Sequence, residues 1–187
     1  MDVSIKTLEL FHACRQDGGA EHLKANAPFL SEDNNRQWLT QGYYFWVEDI
    51  RLAHGWGQSS VEGEYAIVKV KAQFSEREIL DLVSSPAHIN TFKKFLARFM
   101  EEMKNKHNGK YNPTVSECIR YYRELGRFPF KGIRAAEEPH PESVRRRFIA
   151  TAENVIALNP RQQLCLFAGF EHIIVDKCIV RPAEWAA

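Results

Sequence analysis

Two incompatible periodicities lie close together in the middle of this chain, and they decide its fold class. Residues 65–74, YAIVKVKAQF, alternate Ile or Val with Lys and Gln, the period of two that describes a half-buried strand with one wet face. Shortly afterwards Ile89, Phe92, Leu96, Phe99, Met100 and Met103 recur at spacings of three and four, which lines one face of a long helix. A chain that must bury both a sheet face and a helix stripe is α+β. The same alternation of element types runs through the flanking sequence. LELFHAC reads as a strand stopped by RQDGG, a short helix follows over 20–26, and GYYFWV reads as a strand. That strand passes directly into a helix at EDIRLAHGW, where Ile50, Ala53 and Trp56 keep helical spacing. VSECIRYYREL is a further helix, and RFPFKGIRAAEEPHPES is a loop punctuated by Pro and Gly. QQLCLF and HIIVDKCIV read as closing strands joined through Gly169 as a hairpin. Ser75 and Glu78 have the spacing of a capping box, and the type of EILDLV stays open.

With 187 residues, 44% of them hydrophobic, the chain supports one core, so residues 1–187 are expected to form a single domain. The four cysteines, Cys14, Cys118, Cys165 and Cys178, form no CxxC pair and sit in apolar contexts. They read as reduced core residues, and a cytoplasmic setting is the simplest inference. No basic-then-apolar leader and no apolar run of membrane-spanning length occurs, so no membrane partner is expected. The seven histidines show no metal-ligand spacing such as HExxH, and no metal is expected.

A net charge of +1 argues against a wholesale basic nucleic-acid binder. The average conceals a local imbalance: between Phe92 and Ala135 eleven Lys and Arg face four Glu. Either this is a solvated helical surface or it attracts an anionic acceptor.

LFHAC, then WLTQGYYFW with RLAHGW behind it, and finally RQQLCLF, resemble the three signature strands of the ADP-ribosyltransferase fold in its His-Tyr-Glu branch. That branch includes diphtheria-like toxins, poly(ADP-ribose) polymerases and small bacterial toxin and defence enzymes. The order YAIVKVKAQFSEREILDL, helix, FPFKGIRAA is also similar to small bacterial members. The resemblance implies a split β-sheet core with peripheral helices and NAD as co-substrate. It implies His12 as the anchor of the adenosine ribose, Tyr44 as the ring stacked on nicotinamide, and Ala13 and Gly42 as backbone contacts to NAD. Gln163 takes the place where the family often has Glu, with Gln162 as its rival, because a register error of one residue exchanges faces.

Two departures are conservative: Ala13 and Thr40 stand where Gly is common. Gln163 changes more, since an amide can orient a ribose hydroxyl but cannot act as an ionised base. The resemblance therefore implies transfer of a single ADP-ribose by a toxin or anti-phage defence effector. Nucleic acid is favoured over protein as acceptor, with Arg120, Arg123 and Arg127 as contacts and Tyr111, Tyr121, Tyr122, Phe128 and Phe130 available to stack on bases. A neutralising antitoxin protein is a conceivable partner. The alternative is a catalytically silent module of the same fold that binds NAD-like or nucleic-acid ligands. Trp38, Trp46, Trp56 and Tyr43 read as packing, Glu48, Asp49 and Asp81 as helix-terminal carboxylates, and Arg145, Arg146 and Arg147 as a solvated helix face.

Overall fold

The computed structural model describes residues 4–34, 37–106, 112–137, 145–147, 155–157 and 160–186. The chain is a single α+β domain whose seven-stranded mixed sheet has the order β4-β5-β8-β2-β1-β3-β9. These strands are β1 (Ile5–Arg15), β2 (Tyr43–Val47), β3 (Tyr65–Ser75), β4 (Ile79–Asp81), β5 (Gly132–Ala136), β8 (Gln162–Leu166) and β9 (Ile174–Arg181). All neighbours are antiparallel except β4 and β5. Among the described residues, four α-helices accompany the sheet: α1 (Gly19–Asn26), α2 (Ile50–Ser60), α3 (Pro86–Lys106) and α4 (Val115–Glu124). A separate ribbon pairs β6 (Arg145–Arg147) with β7 (Val155–Ala157).

Strand alternation sorts the core onto two faces. Leu10, Phe45, Val68, Val70, Leu164 and Leu166 pack together with Leu23 of α1. On the other face Phe11, Trp46 and Ile67 meet Ala53 of α2, and Ile133, Cys165 and Phe167 meet Phe92 of α3 and Ile119 of α4. The α3 stripe continues through Phe99 and Met103 onto Cys118 and Tyr122 of α4. Cys14, Cys118 and Cys165 are buried thiols, as apolar contexts led one to expect, and all four cysteines are free.

The ladders are unequal. β1 pairs with β3 over its whole length, from Ile5↔Ser75 to Arg15↔Tyr65. With β2 its register covers Leu10↔Val47 and Phe11↔Trp46. Beyond Phe11 the β1–β2 register ends, and Ser31 meets the residue before β2: Ser31 N–H donates to the Gly42 carbonyl at 3.0 Å, and Gly42 N–H donates to Ser31 Oγ at 3.1 Å.

Four readings of the sequence are corrected. QQLCLF and HIIVDKCIV do not form a hairpin. Both edges of β8 are taken by β2 and β5, so the chain leaves through Gly169, at φ 91, and adds β9 at the far edge beside β3. GIRAA, read as loop, is β5; its buried Ile133 and Ala135 flank the half-buried Arg134, a period of two too short to stand out. Ser75 and Glu78 close a turn from β3 into β4, not a helix: the Glu78 carboxylate accepts Ser75 N–H at 2.6 Å, and Glu78 N–H donates to the Ser75 carbonyl. Arg145–Arg147 is a strand rather than a helix face. A reciprocal capping box does occur at α4, between Thr114 and Glu117.

Candidate active site

Residues directly opposite each other in a ladder share a face. The ladders align Phe11, Trp46, Gln163 and Ala135 in one row across β1, β2, β8 and β5. Tyr44 lies opposite Cys165 on the same face. Tyr44 and Gln163, 119 positions apart in the numbering, are thus brought onto one surface of adjacent strands. Arg161 and Glu137 extend this surface past the ends of β8 and β5, where Glu137 N–H donates to the Arg161 carbonyl at 3.0 Å.

Gln163, 7% exposed, is held at both ends of its amide. Trp38 Nε1–H donates to its Oε1 at 2.9 Å, and its Nε2 donates to Glu137 Oε1 at 3.3 Å. Among the described residues, each partner uses one of the amide's two donors or one of its two acceptor lone pairs. Glu137 also pairs with Arg161 at 3.3 Å, and the Arg161 guanidinium lies 5.1 Å from the Trp46 ring centroid. Trp38, Trp46, Gln163, Glu137 and Arg161 form one connected cluster of rings, amide and ion pair.

Loop 37–42 supplies Trp38 to this cluster. Tyr44 fixes the loop from below: its hydroxyl donates to the Thr40 carbonyl at 2.7 Å and accepts Leu39 N–H at 3.1 Å. Burial, with the Cys165 thiol beside it, pushes the phenol well above its ordinary pKa, so Tyr44 stays neutral. Thr40 is 2% exposed and has φ 81, a left-handed conformation unusual for a β-branched residue. At Gly42 an added Cβ would lie 2.4 Å from Cys165 Sγ and 2.7 Å from the Leu166 carbonyl. What approaches Gly42 closely is therefore β8.

His12 lies elsewhere. It opposes Val68 in the β1–β3 ladder and faces the core of Leu10, Phe45 and Val68, with its ring 5.9 Å from Phe45 and 6.3 Å from Phe29. Its side chain is on the opposite sheet face from Tyr44 and Gln163, so the three do not line one surface. Both ring nitrogens are occupied by main chain: Nδ1 donates to the Tyr44 carbonyl at 2.9 Å, and Nε2 accepts Phe29 N–H at 3.2 Å. The imidazole of β1 is thus tied to β2 at Tyr44 and to the main chain at Phe29. Desolvation, opposed more weakly by the Tyr44 hydrogen bond, lowers the imidazole's pKa. Ala13, next to it, is half-buried against the core of Phe11 and Ile67. Gln162 shares the His12 face and accepts from Arg134 at 2.5 Å, beside Asp81.

The basic segment divides. Arg123 is drawn inward: its guanidinium lies 4.1 Å from the Phe167 ring centroid and Nη1 donates to the Gln41 carbonyl at 3.5 Å, and burial lowers its pKa. Arg120 pairs with Asp33 at 3.3 Å, whereas Arg127 is exposed. Lys131 bonds to Glu78 and Arg134 to Asp81. Tyr122 and Phe130 are buried, which corrects their reading as base-stacking surfaces, and Tyr121 donates to Glu102. Tyr111 lies outside the described residues.

Other residues divide as well. Asp49 caps α2 by accepting Arg51 N–H at 3.0 Å, as its position suggested. Glu48 and Asp81 do not follow that reading: Glu48 precedes the cap at φ 57, and Asp81 ends β4 and accepts the amides of Val83 and Ser84. Trp56 is 43% exposed and lies 6.3 Å from Trp46. Sequence reasoning missed Trp38 as a site residue and missed Glu137 and Arg161 altogether. Among the described residues no group of His, Cys, Asp or Glu is placed to hold a metal ion, and no helix is long and apolar enough to cross a membrane. No protein family, curated protein or solved structure matches the chain.

Proposed function

We propose that this chain is an NAD-dependent mono-ADP-ribosyltransferase, a toxin or defence effector that cleaves NAD and transfers ADP-ribose to a macromolecular acceptor. The observation that carries the reading is the adjacency of β1, β2 and β8. The three motifs that resemble the His-Tyr-Glu branch, scattered through the sequence, occupy neighbouring strands at the place where β1 and β2 separate. The opening between those strands is the natural counterpart of a split sheet. Thr40 adds support: it stands where the family commonly has Gly and takes a backbone conformation suited to Gly.

Breaking the nicotinamide–ribose bond sends both bonding electrons to nicotinamide and leaves positive charge on the ribose ring. Orientation and fixed charge favour such a step more than a strong nucleophile does. In this reading Tyr44 shapes the nicotinamide side and the amide of Gln163 orients a ribose hydroxyl. Ribose binding by His12 would require Nε2 to exchange the Phe29 amide for a ligand hydroxyl; otherwise its part is to fix the β1–β2 opening. Nucleic acid is the favoured acceptor, because Arg120 beside Asp33 and Arg123 on the Gln41 carbonyl set two guanidinium groups next to loop 37–42.

His12 also favours a second reading, a catalytically silent module of the same fold, since both its ring nitrogens are already engaged. Incubation with labelled NAD separates the two. Nicotinamide release that is lost in Gln163→Ala, with the variant still folded, supports the transferase. Tight NAD binding without turnover supports the module, and neither binding nor turnover overturns both.

A further inference from the structure

We propose that Glu137 is a positioning residue for the reaction proposed above, supplying through Gln163 the carboxylate charge that an amide lacks; the inference rests on that transferase reading. Gln163 occupies a place where a carboxylate is commonly found, and taken alone its neutral amide leaves the developing ribose cation without a nearby negative group. The structure puts one in contact with it: Glu137 Oε1 accepts from Gln163 Nε2 at 3.3 Å.

Three features make this more than a passing contact. The Glu137 backbone is fixed by its hydrogen bond to the Arg161 carbonyl, which continues the β5–β8 ladder beyond Ala136↔Gln162. Its side chain, 30% exposed, also lies 3.3 Å from Arg161 Nε, a charge contact without hydrogen-bond geometry, and the Arg161 guanidinium is placed over Trp46. With Trp38 Nε1–H on Gln163 Oε1 and the Glu137 carboxylate on Nε2, the amide has only one orientation that satisfies both partners. A flipped amide would set N–H against N–H and oxygen against oxygen. Glu137 thus determines which edge of Gln163 meets the ribose, and it places negative charge one residue away from where positive charge develops. When the C1′–N bond breaks, nicotinamide leaves with the electron pair. The acceptor's lone pair then forms the new bond to C1′, and the acceptor's proton passes to solvent. Glu137 exchanges no atom in this sequence.

The test measures kcat and KM for NAD turnover by the intact protein, by Glu137→Gln and by the exchanged pair Glu137→Gln with Gln163→Glu, with thermal unfolding as a check on folding. Glu137→Gln is expected to lower kcat at least tenfold with little change in KM. The exchanged pair, which returns a carboxylate to the cluster, is expected to regain most of the lost rate. A folded Glu137→Gln that keeps the wild-type kcat overturns the role of Glu137 and leaves the transferase reading standing. A wild-type protein that does not turn over NAD overturns both.

Discussion

His12 Nδ1 donates to the Tyr44 carbonyl at 2.9 Å across the point where β1 and β2 separate. A carbonyl only accepts, so Nδ1 carries the proton, and Nε2 must be bare because it accepts Phe29 N–H. The imidazole is held neutral in one tautomer, and protonating Nε2 would turn two donors against each other.

Stability should therefore depend on pH through His12. Desolvation, only partly offset by the Tyr44 hydrogen bond, lowers its pKa below 6.5 in the folded state. Below pH 6.5 the unfolded chain takes up a proton that the folded chain refuses. The contribution of this neutral His is complete above about 6.5 and diminishes as the pH falls toward the folded value, at up to about 1.4 kcal/mol per pH unit. Urea unfolding of the wild type and His12→Gln, followed from about pH 5 to about pH 8 across the imidazole's range, should show a steeper acid-side decline in the wild type. Parallel curves would mean that His12 is not held neutral.

Gly42→Ala should destabilise the fold through β8. The new Cβ would sit 2.7 Å from the Leu166 carbonyl, and main chain in the middle of the sheet cannot yield cheaply. Overpacking of this kind costs about 1–3 kcal/mol, a loss that chemical denaturation resolves. Full retention of stability would show that loop 37–42 moves freely over β8.

The two adjacent tyrosines should respond differently to loss of their hydroxyls. Tyr43 donates to Glu171 at an exposed position, so Tyr43→Phe is expected to cost less than about 1 kcal/mol. Tyr44→Phe strips partners from the Leu39 amide and the Thr40 carbonyl beneath a covered loop and should cost about 1–3 kcal/mol. The transferase reading expects expression of the intact protein to slow bacterial growth and Tyr44→Ala to relieve this more than Tyr43→Phe; equal growth of all three would count against that reading. Equal stability of the two Phe variants would remove Tyr44 as the support of loop 37–42.

Element type was legible wherever periodicity ran long enough: residues 68–74 alternate between core and a wetter face, and α3 buries Phe92, Phe99 and Met103 along one side, whereas residues 65–68 are buried on both faces of the sheet. Partnership was not. Nothing local to QQLCLF tells that β2 and β5 take both its edges, so proximity in sequence to HIIVDKCIV pointed to the wrong neighbour. The site divides in the same way. Tyr44 and Gln163, singled out by the resemblance, are each the second residue of a strand that the sequence shows, and Thr40 carries a left-handed backbone. Trp38 and Glu137 could not, since each reaches Gln163 only through sheet register and loop path. His12 could be placed on its strand, but which face it occupies depends on the register shared with Val68.

An anionic acceptor would make transfer depend on salt. If an anionic strand lies along α4 toward loop 37–42, Arg120 and Arg127 contribute from the surface, while Arg123, stacked on Phe167, also holds the fold together. Binding at phosphates releases counterions, so transfer to nucleic acid should weaken steeply with salt, and hydrolysis of NAD in the absence of acceptor should change much less. Replacing Arg120 and Arg127 together with Gln should reduce the slope of log activity against log salt by about 0.7 for each single-strand phosphate no longer neutralised. Thermal stability should be almost unchanged, because the exchanged groups are a surface ion pair and an exposed surface charge. Arg123→Gln should instead lower thermal stability as well as transfer. A salt slope unchanged by the double replacement, with label from NAD found only in protease-sensitive material, would assign the acceptor to protein.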